Sequence, residues 1–211
     1  MDKIYHDLNE YAALHSSKSS ELLYQLERET HLKTLAPVML SGSLQGQLLR
    51  LLSLLIKPEF ILEIGTFTGY GSLCLAEGLT ETGQLHTIEP NAETLFIAEK
   101  YFNLSPFKHQ IFTHLGKAEN VMPNLSIPFF DLIYLDGGKR DYAMHYDLII
   151  DKVKPGGLIL ADNVLWSGKV LNPKDEDSQI IHTFNTKILE DPRVDNLLLP
   201  IRDGLMVMRR C

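Results

Sequence analysis

The chain has 211 residues, 27 acidic against 20 basic, for a formal charge of -7 and a pI near 5.6. That balance gives no global cationic surface for nucleic acid, and 45% hydrophobic with 22% charged residues excludes disordered and fibrous classes. Cysteine is limited to Cys74 and Cys211, in no CxxC pattern, so neither a zinc knuckle nor a disulfide framework is expected, and the cytoplasm is the expected compartment.

The length suits one domain over residues 1–211, divided into an N-terminal helical cap (1–57) and a core (58–211). Met1-Asp-Lys-Ile opens an amphipathic, charged segment without the apolar core of a signal peptide, and no run is read as long enough to span a membrane. A soluble protein with no membrane partner follows. Leu22, Leu23, Leu26 and Leu32 recur at helical spacing after Ser19-Ser20 and predict a helix over Glu21 to Leu35. Pro37 to Ser43 reads as a loop. Leu44 to Ile56 reads as a helix with Leu44, Leu48, Leu51, Leu52 and Leu55 inward, stopped by Lys57-Pro58.

From Phe60 short apolar runs alternate with amphipathic stretches, the signature of βα units. Strands are predicted at Phe60–Ile64, Gln84–Glu89, Lys108–His114, Phe130–Leu135, Leu158–Ala161, Val194–Pro200 and Leu205–Arg209, with helices at Gly69–Leu79, Ala92–Leu104, Ala118–Asn124, Asp141–Val153 and Ser178–Asp191. The last two strands, joined through Arg202-Asp203-Gly204, form a hairpin. The fold class is therefore α/β: a seven-stranded, mostly parallel sheet with one antiparallel strand and helices on both faces.

Glu63-Ile-Gly65-Thr-Phe-Thr-Gly69-Tyr-Gly71 follows the first strand and opens a helix. Glycine there lets the backbone turn sharply and approach a ligand. The spacing is GxxxG rather than the GxGxxG of dinucleotide sites, and Glu63 suits a cationic ligand better than a pyrophosphate. Glu89 ends the second strand 24 residues after Gly65, near the ~20-residue distance at which an acid grips a ribose diol. A plain strand-to-helix turn and a solvated terminus are the bland alternatives; the three residues together favour a nucleoside.

Asp136 and Asp162-Asn163 close two further strands. Parallel strands empty onto one sheet edge, so these hard oxygen ligands can meet and would suit Mg²⁺, or Mn²⁺ or Ca²⁺ in its place, rather than zinc. As N-caps they would be unremarkable individually. Lys139 stands three residues beyond Asp136; beside a divalent cation its ammonium form is disfavoured, which would let it accept a proton. The histidines show no metal spacing and read as structural or exposed. Trp166 reads equally as core or as a wall for a flat substrate.

Together LEIGTFTGYG, HTIEP, FDLIYLDGGKRDY, KPGGLILADNVLWSGKV and DGLMVMRR resemble the cation-dependent O-methyltransferases of the caffeoyl-CoA and catechol type, from about Met39 to the C-terminus. The resemblance implies a Rossmann-like class I methyltransferase fold, S-adenosylmethionine as cofactor and commonly a homodimer. Its sulfonium would account for Glu63 and its ribose for Glu89. It also implies Asp136, Asp162 and Asn163 as metal ligands, with Lys139 and Asp136 at the catalytic position. Ser41, Glu63, Gly65, Gly69, Ser72, Glu89, Ala118 and Asp136 form the implied cofactor set. Two departures stand out: many relatives have an acid at Gly138 and serine at Gly71, although Ser72 adjoins. Both point to the cofactor side.

The implied reaction is methylation of a small phenolic acceptor with neighbouring hydroxyls. A hydroxylated uridine in tRNA is the alternative acceptor within the same family; a basic cluster of Lys139, Arg140, Lys169 and Lys174 at the site mouth would favour it. A non-catalytic nucleoside-binding module is a further alternative, against which the intact Asp136, Lys139, Asp162 and Asn163 set argues. A nicotinamide dehydrogenase fits worst, because the loop spacing is wrong.

Overall fold

The structure, a computed structural model, describes residues 3–211; Met1 and Asp2, where the charged N-terminal segment begins, lie outside them. Ahead of the sheet come α1 (Lys3–Leu14), α2 (Glu21–Lys33) and α3 (Gly42–Ile56). The Ser20 side chain accepts a hydrogen bond from Leu23 N, satisfying one of the orphan donors at the start of α2. The segment expected as a loop contains a 3₁₀ turn, Pro37–Met39.

The buried face of α3 differs from the leucine count. Gln45, Gly46, Leu49 and Ser53 are buried, whereas Leu51 and Leu55 are exposed. The neighbouring helix comes too close for leucine on the contact line: a Cβ on Gly46 would lie 2.6 Å from the Tyr70 ring. The run Pro37–Ile56 also corrects the expectation that nothing is long enough to span a membrane, since its 20 residues reach a mean hydropathy of 1.2. It is not continuous helix, however. A 15-residue α3 rises only ~22 Å, and its buried Gln45 reaches the sheet through Tyr134 Oη.

The strands are β1 (Phe60–Ile64), β2 (Gln84–Glu89), β3 (Ile111–Leu115), β4 (Phe130–Leu135), β5 (Val153–Asp162), β6 (Val194–Leu199) and β7 (Leu205–Arg210). Among the described residues they form one seven-stranded sheet, ordered β3-β2-β1-β4-β5-β7-β6. Neighbours pair in parallel from β3 to β5, and β7 runs antiparallel to both β5 and β6. Two boundaries move. β3 starts at Ile111 because the chain still turns through Phe107, whose carbonyl accepts from Gln110 N and Ile111 N. β5 starts at Val153, running through Pro155-Gly156-Gly157 with a register shift opposite Phe130 and Leu132; Gly156 there has φ +81°, which glycine adopts without strain.

The remaining helices are α4 (Tyr70–Ala76), α5 (Ala92–Leu104), α6 (Ala118–Val121), α7 (Tyr142–Ile149) and α8 (Glu176–Glu190); α7 is shorter than predicted because 3₁₀ turns flank it. One core joins Leu132 and Tyr134 to α2–α5, including Leu26, Leu49 and Phe102. The other joins Ile133 and Leu135 to α7 and α8 through Tyr142, Tyr146 and Phe184. The period-two alternation of β4 thus feeds both layers. After β1 the chain builds outward through β2 and β3, then returns to place β4 on the other side of β1. A crevice opens at the carboxyl ends of such diverging strands.

Candidate functional site

A small cleft sits at this divergence, lined by residues that include Ser41, Glu63, Gly65, Gly71, Tyr134 and Asp136. None of its lining residues is a histidine. Gly65 has φ +101°, and a Cβ there would lie 2.4 Å from the Asp136 carbonyl oxygen. Its glycine therefore lets the ends of β1 and β4 touch, as well as opening the ligand side.

Glu63 is buried at the end of β1. Ser72 and Thr87 both donate to its Oε2, Thr87 at 2.5 Å, and Thr66 Oγ1 lies 2.5 Å from Thr87 Oγ1. Burial pushes the Glu63 carboxyl up to about 8, against the two hydroxyl donors, with Asp136 and Glu89 adding repulsion. Among the described residues no cationic side chain hydrogen-bonds it. Glu63 is thus a buried acid lacking a counter-ion, the electrostatic complement of a cation. Glu89 ends β2 and accepts Phe67 N at 2.7 Å and Asn91 N at 3.0 Å; burial raises its pKa, partly offset by those backbone donors.

The remaining members of the implied cofactor set lie behind or beside the cleft. Gly69, with φ +90°, caps α4, where a Cβ would lie 2.6 Å from the Phe102 ring. Ser72 acts on Glu63, and Ala118 opens α6 beyond β3. Of the two departures, Gly71 lines the cleft and a Cβ on it would meet Glu63 Oε1 at 2.8 Å. Gly138 does not line the cleft; a Cβ there would meet the Asp141 carboxylate at 3.3 Å.

Asp136 and Asp162 converge on one hydroxyl. Tyr134 Oη lies 3.3 Å from Asp136 Oδ2 and 3.2 Å from Asp162 Oδ2. Asp162 Oδ1 accepts Asn163 N at 2.8 Å, and Asn163 has φ +57°, a left-handed conformation that asparagine tolerates. Lys139 Nζ donates to Asp136 Oδ1 and to Tyr142 Oη, each at 2.8 Å. Tyr142 Oη in turn sits 3.0 Å from the Leu135 carbonyl and 2.9 Å from the Asp162 carbonyl, which locks the ends of β4 and β5 together.

Burial pushes Asp136 up to about 6, with Lys139 opposing and Asp162 adding to the shift. For Lys139, burial alone would lower the pKa, but Asp136 and Tyr142 outweigh it and hold the ammonium above its ordinary value. Among the side chains present, the partner three residues upstream wins and Lys139 is a cationic donor; the expectation of a disfavoured ammonium concerns a site that also holds a divalent cation.

Among the described residues no group of three or more His, Cys, Asp and Glu side chains is placed to hold a metal ion. What β4 and β5 bring together is two aspartates and an asparagine. This set fits a hard divalent cation: all its donors are oxygen, Asp136 Oδ1 and Asp162 Oδ1 each accept one hydrogen bond, the two Oδ2 atoms share the single Tyr134 proton, and every carboxylate oxygen keeps a lone pair.

Sequence reasoning missed Tyr134, Gln45 and Arg202. Gln45 Nε2 donates to Tyr134 Oη at 2.9 Å, and Arg202 in the β6–β7 turn donates to Gln45 Oε1 at 3.2 Å, to Leu40 O at 3.0 Å and to Ser41 O. Tyr134 was legible as the residue two before Asp136 on the same strand face; Gln45 was a polar residue inside a leucine-rich helix. Trp166 packs partly buried against the α7–α8 core, at the start of a left-handed run through Ser167 and Gly168.

Comparison with known proteins adds a family. A family model described as O-methyltransferase matches residues 13–211. The chain is 34% identical over 167 residues to catechol O-methyltransferase domain-containing protein 1 of Mus musculus, covering 76% of this chain and 64% of that protein, just under two thirds of its length. It is 31% identical over 186 residues to caffeoyl-CoA O-methyltransferase 2 of Petunia hybrida, covering 82% and 77%. Among solved structures, the SAH-bound methyltransferase of Podospora anserina superposes with a TM-score of 0.90 at 27% identity, covering 100% of this chain and 97% of that one.

Proposed function

This chain belongs to the O-methyltransferase family, whose chemistry is methyl transfer from S-adenosylmethionine to a hydroxyl, and we propose that it acts on a small aromatic acceptor with two neighbouring hydroxyls, with a divalent metal. The observation that carries this reading is a cleft lined by Glu63 and Asp136, with Asp162 beside Asp136 across the Tyr134 hydroxyl. Glu63, a buried acid without a counter-ion, suits the cationic donor. Asp136, Asp162 and Asn163, one strand end away, would hold the metal. A bound divalent cation would lower the pKa of an acceptor hydroxyl and hold it in place. Lys139 pairs with Asp136 at 2.8 Å, and as an ammonium it would stabilise the oxyanion of the acceptor. Gly65 keeps the ends of β1 and β4 in contact, and positioning supplies much of the rate.

The surroundings favour a small acceptor over RNA. Arg140 pairs with Glu176 and Asp177, and Lys169 with Asp175, so the basic cluster that tRNA would need is largely countered by acids. Self-association is part of the proposal: exposed apolar side chains gather in the N-terminal helices and the turn after them, among them Leu8, Tyr11, Leu14, Leu32, Leu35 and Val38.

The test is incubation with labelled S-adenosylmethionine and Mg²⁺, with and without chelator, against a panel of vicinal diphenols and against tRNA lacking the modification. Label in a diphenol that disappears with chelator is the expected result. Label in tRNA would replace the acceptor, full activity in chelator would remove the metal, and tight cofactor binding without transfer to any acceptor would leave a binding module.

A further inference from the structure

Tyr134 Oη has one proton to give. Arg202, a side chain with donors only, points at Gln45 Oε1, which turns the amide so that its NH₂ faces Tyr134. The phenol oxygen therefore accepts from Gln45. Its own proton is left with two destinations, Asp136 Oδ2 and Asp162 Oδ2. Gln45 and Tyr134 are both buried, so water does not compete for these bonds. The result is a directed chain across four elements: the β6–β7 turn, α3, β4, and the two aspartates at the ends of β4 and β5.

We infer that Tyr134 and Gln45 are positioning residues for the carboxylate pair, Tyr134 holding both aspartates in register through one shared proton and Gln45, oriented by Arg202, forcing that proton toward them. The inference rests on the proposed metal role of Asp136 and Asp162. The same chain reaches the donor side of the cleft, because Arg202 also holds the Leu40 and Ser41 carbonyls. Outer partners of this kind fix the orientation of metal-binding carboxylates, and their loss costs roughly 10–100-fold in metal affinity.

The test uses Mn²⁺ as the probe, titrated against the full-length protein and followed by its paramagnetic resonance signal, so that turnover is not the readout. Tyr134→Phe keeps the ring that lines the cleft and removes only the hydroxyl. Gln45→Glu keeps the shape, accepts from both Arg202 and Tyr134, and draws the phenol proton away from the aspartates. Each variant is checked by thermal melting and by S-adenosylhomocysteine affinity.

At least tenfold weaker Mn²⁺ binding in both variants is expected, with homocysteine-cofactor affinity within about threefold. Gln45→Glu is the discriminating arm, since its added negative charge would by Coulomb attraction tighten a nearby cation, whereas lost positioning weakens it. Unchanged or tighter Mn²⁺ binding in folded Tyr134→Phe or Gln45→Glu overturns the inference while leaving the metal reading intact. Wild-type protein that binds no Mn²⁺ at millimolar concentration overturns both.

Discussion

Glu63 makes the affinity for a cationic donor depend on pH in a calculable way. Its carboxyl is pushed up to about 8, chiefly by burial, so the free protein carries it mostly protonated at neutral pH. Only the ionised form complements a cation. With a pKa of about 8, the ionised fraction is about one hundredth at pH 6 and about one half at pH 8. Apparent affinity scales with the competent fraction, so S-adenosylmethionine binding should tighten about 50-fold across that interval. The sign for stability is opposite: the folded state retains a proton that the unfolded chain releases above about pH 4.5, so unliganded protein should lose stability as pH rises toward 8.

The assay is calorimetric titration with S-adenosylmethionine at pH 6, 7 and 8, in wild type and in Glu63→Gln. Asp136, pushed up to about 6, titrates in both proteins, so the difference between their slopes belongs to Glu63. A wild-type affinity that is flat from pH 6 to 8, or a Glu63→Gln variant with the same slope, would refute the reasoning.

Asp162→Ala should abolish turnover while cofactor affinity stays within a few-fold, checked by transfer assay and titration on the same preparation. Lys139→Met removes the cationic donor beside Asp136 and should lower kcat by roughly 10²–10³-fold, the range for losing one electrostatic donor to a developing oxyanion, with a smaller change in cofactor Kd. Gly65→Ala places a Cβ 2.4 Å from the Asp136 carbonyl at φ +101°; a loss of at least ~2 kcal/mol is expected, a fall of ~4 °C or more in melting temperature. Gly71→Ser puts its Cβ 2.8 Å from Glu63 Oε1, so that the carboxyl must shift, and should weaken cofactor binding, measured by titration.

The strand-end acids were legible because their signal is local. An apolar run that stops at an acid, repeated at Glu63, Glu89, Asp136 and Asp162, needs only the rule that parallel strands open onto one edge. What escaped depends on partners far away in the chain. Gln45 and Tyr134 are 89 residues apart, and Arg202 reaches Gln45 across 157; no periodicity encodes either pairing. The α3 face failed for a related reason. Counting leucines assumes that helices meet through large side chains on both sides, while α3 meets Tyr70 of α4 at Gly46, and Gly78 just beyond α4 at Ser53. The pairing of Lys139 with Asp136 is of the opposite kind, only three residues long and within one local run.

Gly65 changes meaning once the sheet is in view. Read along the chain, its glycine frees the backbone to approach a ligand. In space, the position its Cβ would occupy is already filled by the Asp136 backbone, and Asp136 N donates to the Ile64 carbonyl at 2.8 Å. The same short contact therefore sets the distance between Glu63 on β1 and Asp136 on β4, which are the donor side and the acceptor side of the proposed reaction. A group transfer between two bound molecules depends on that separation more than on either site alone. The glycine loop and the aspartate run, two motifs 71 residues apart in sequence, thus act as one structural unit, and a substitution at Gly65 should disturb metal and cofactor binding together.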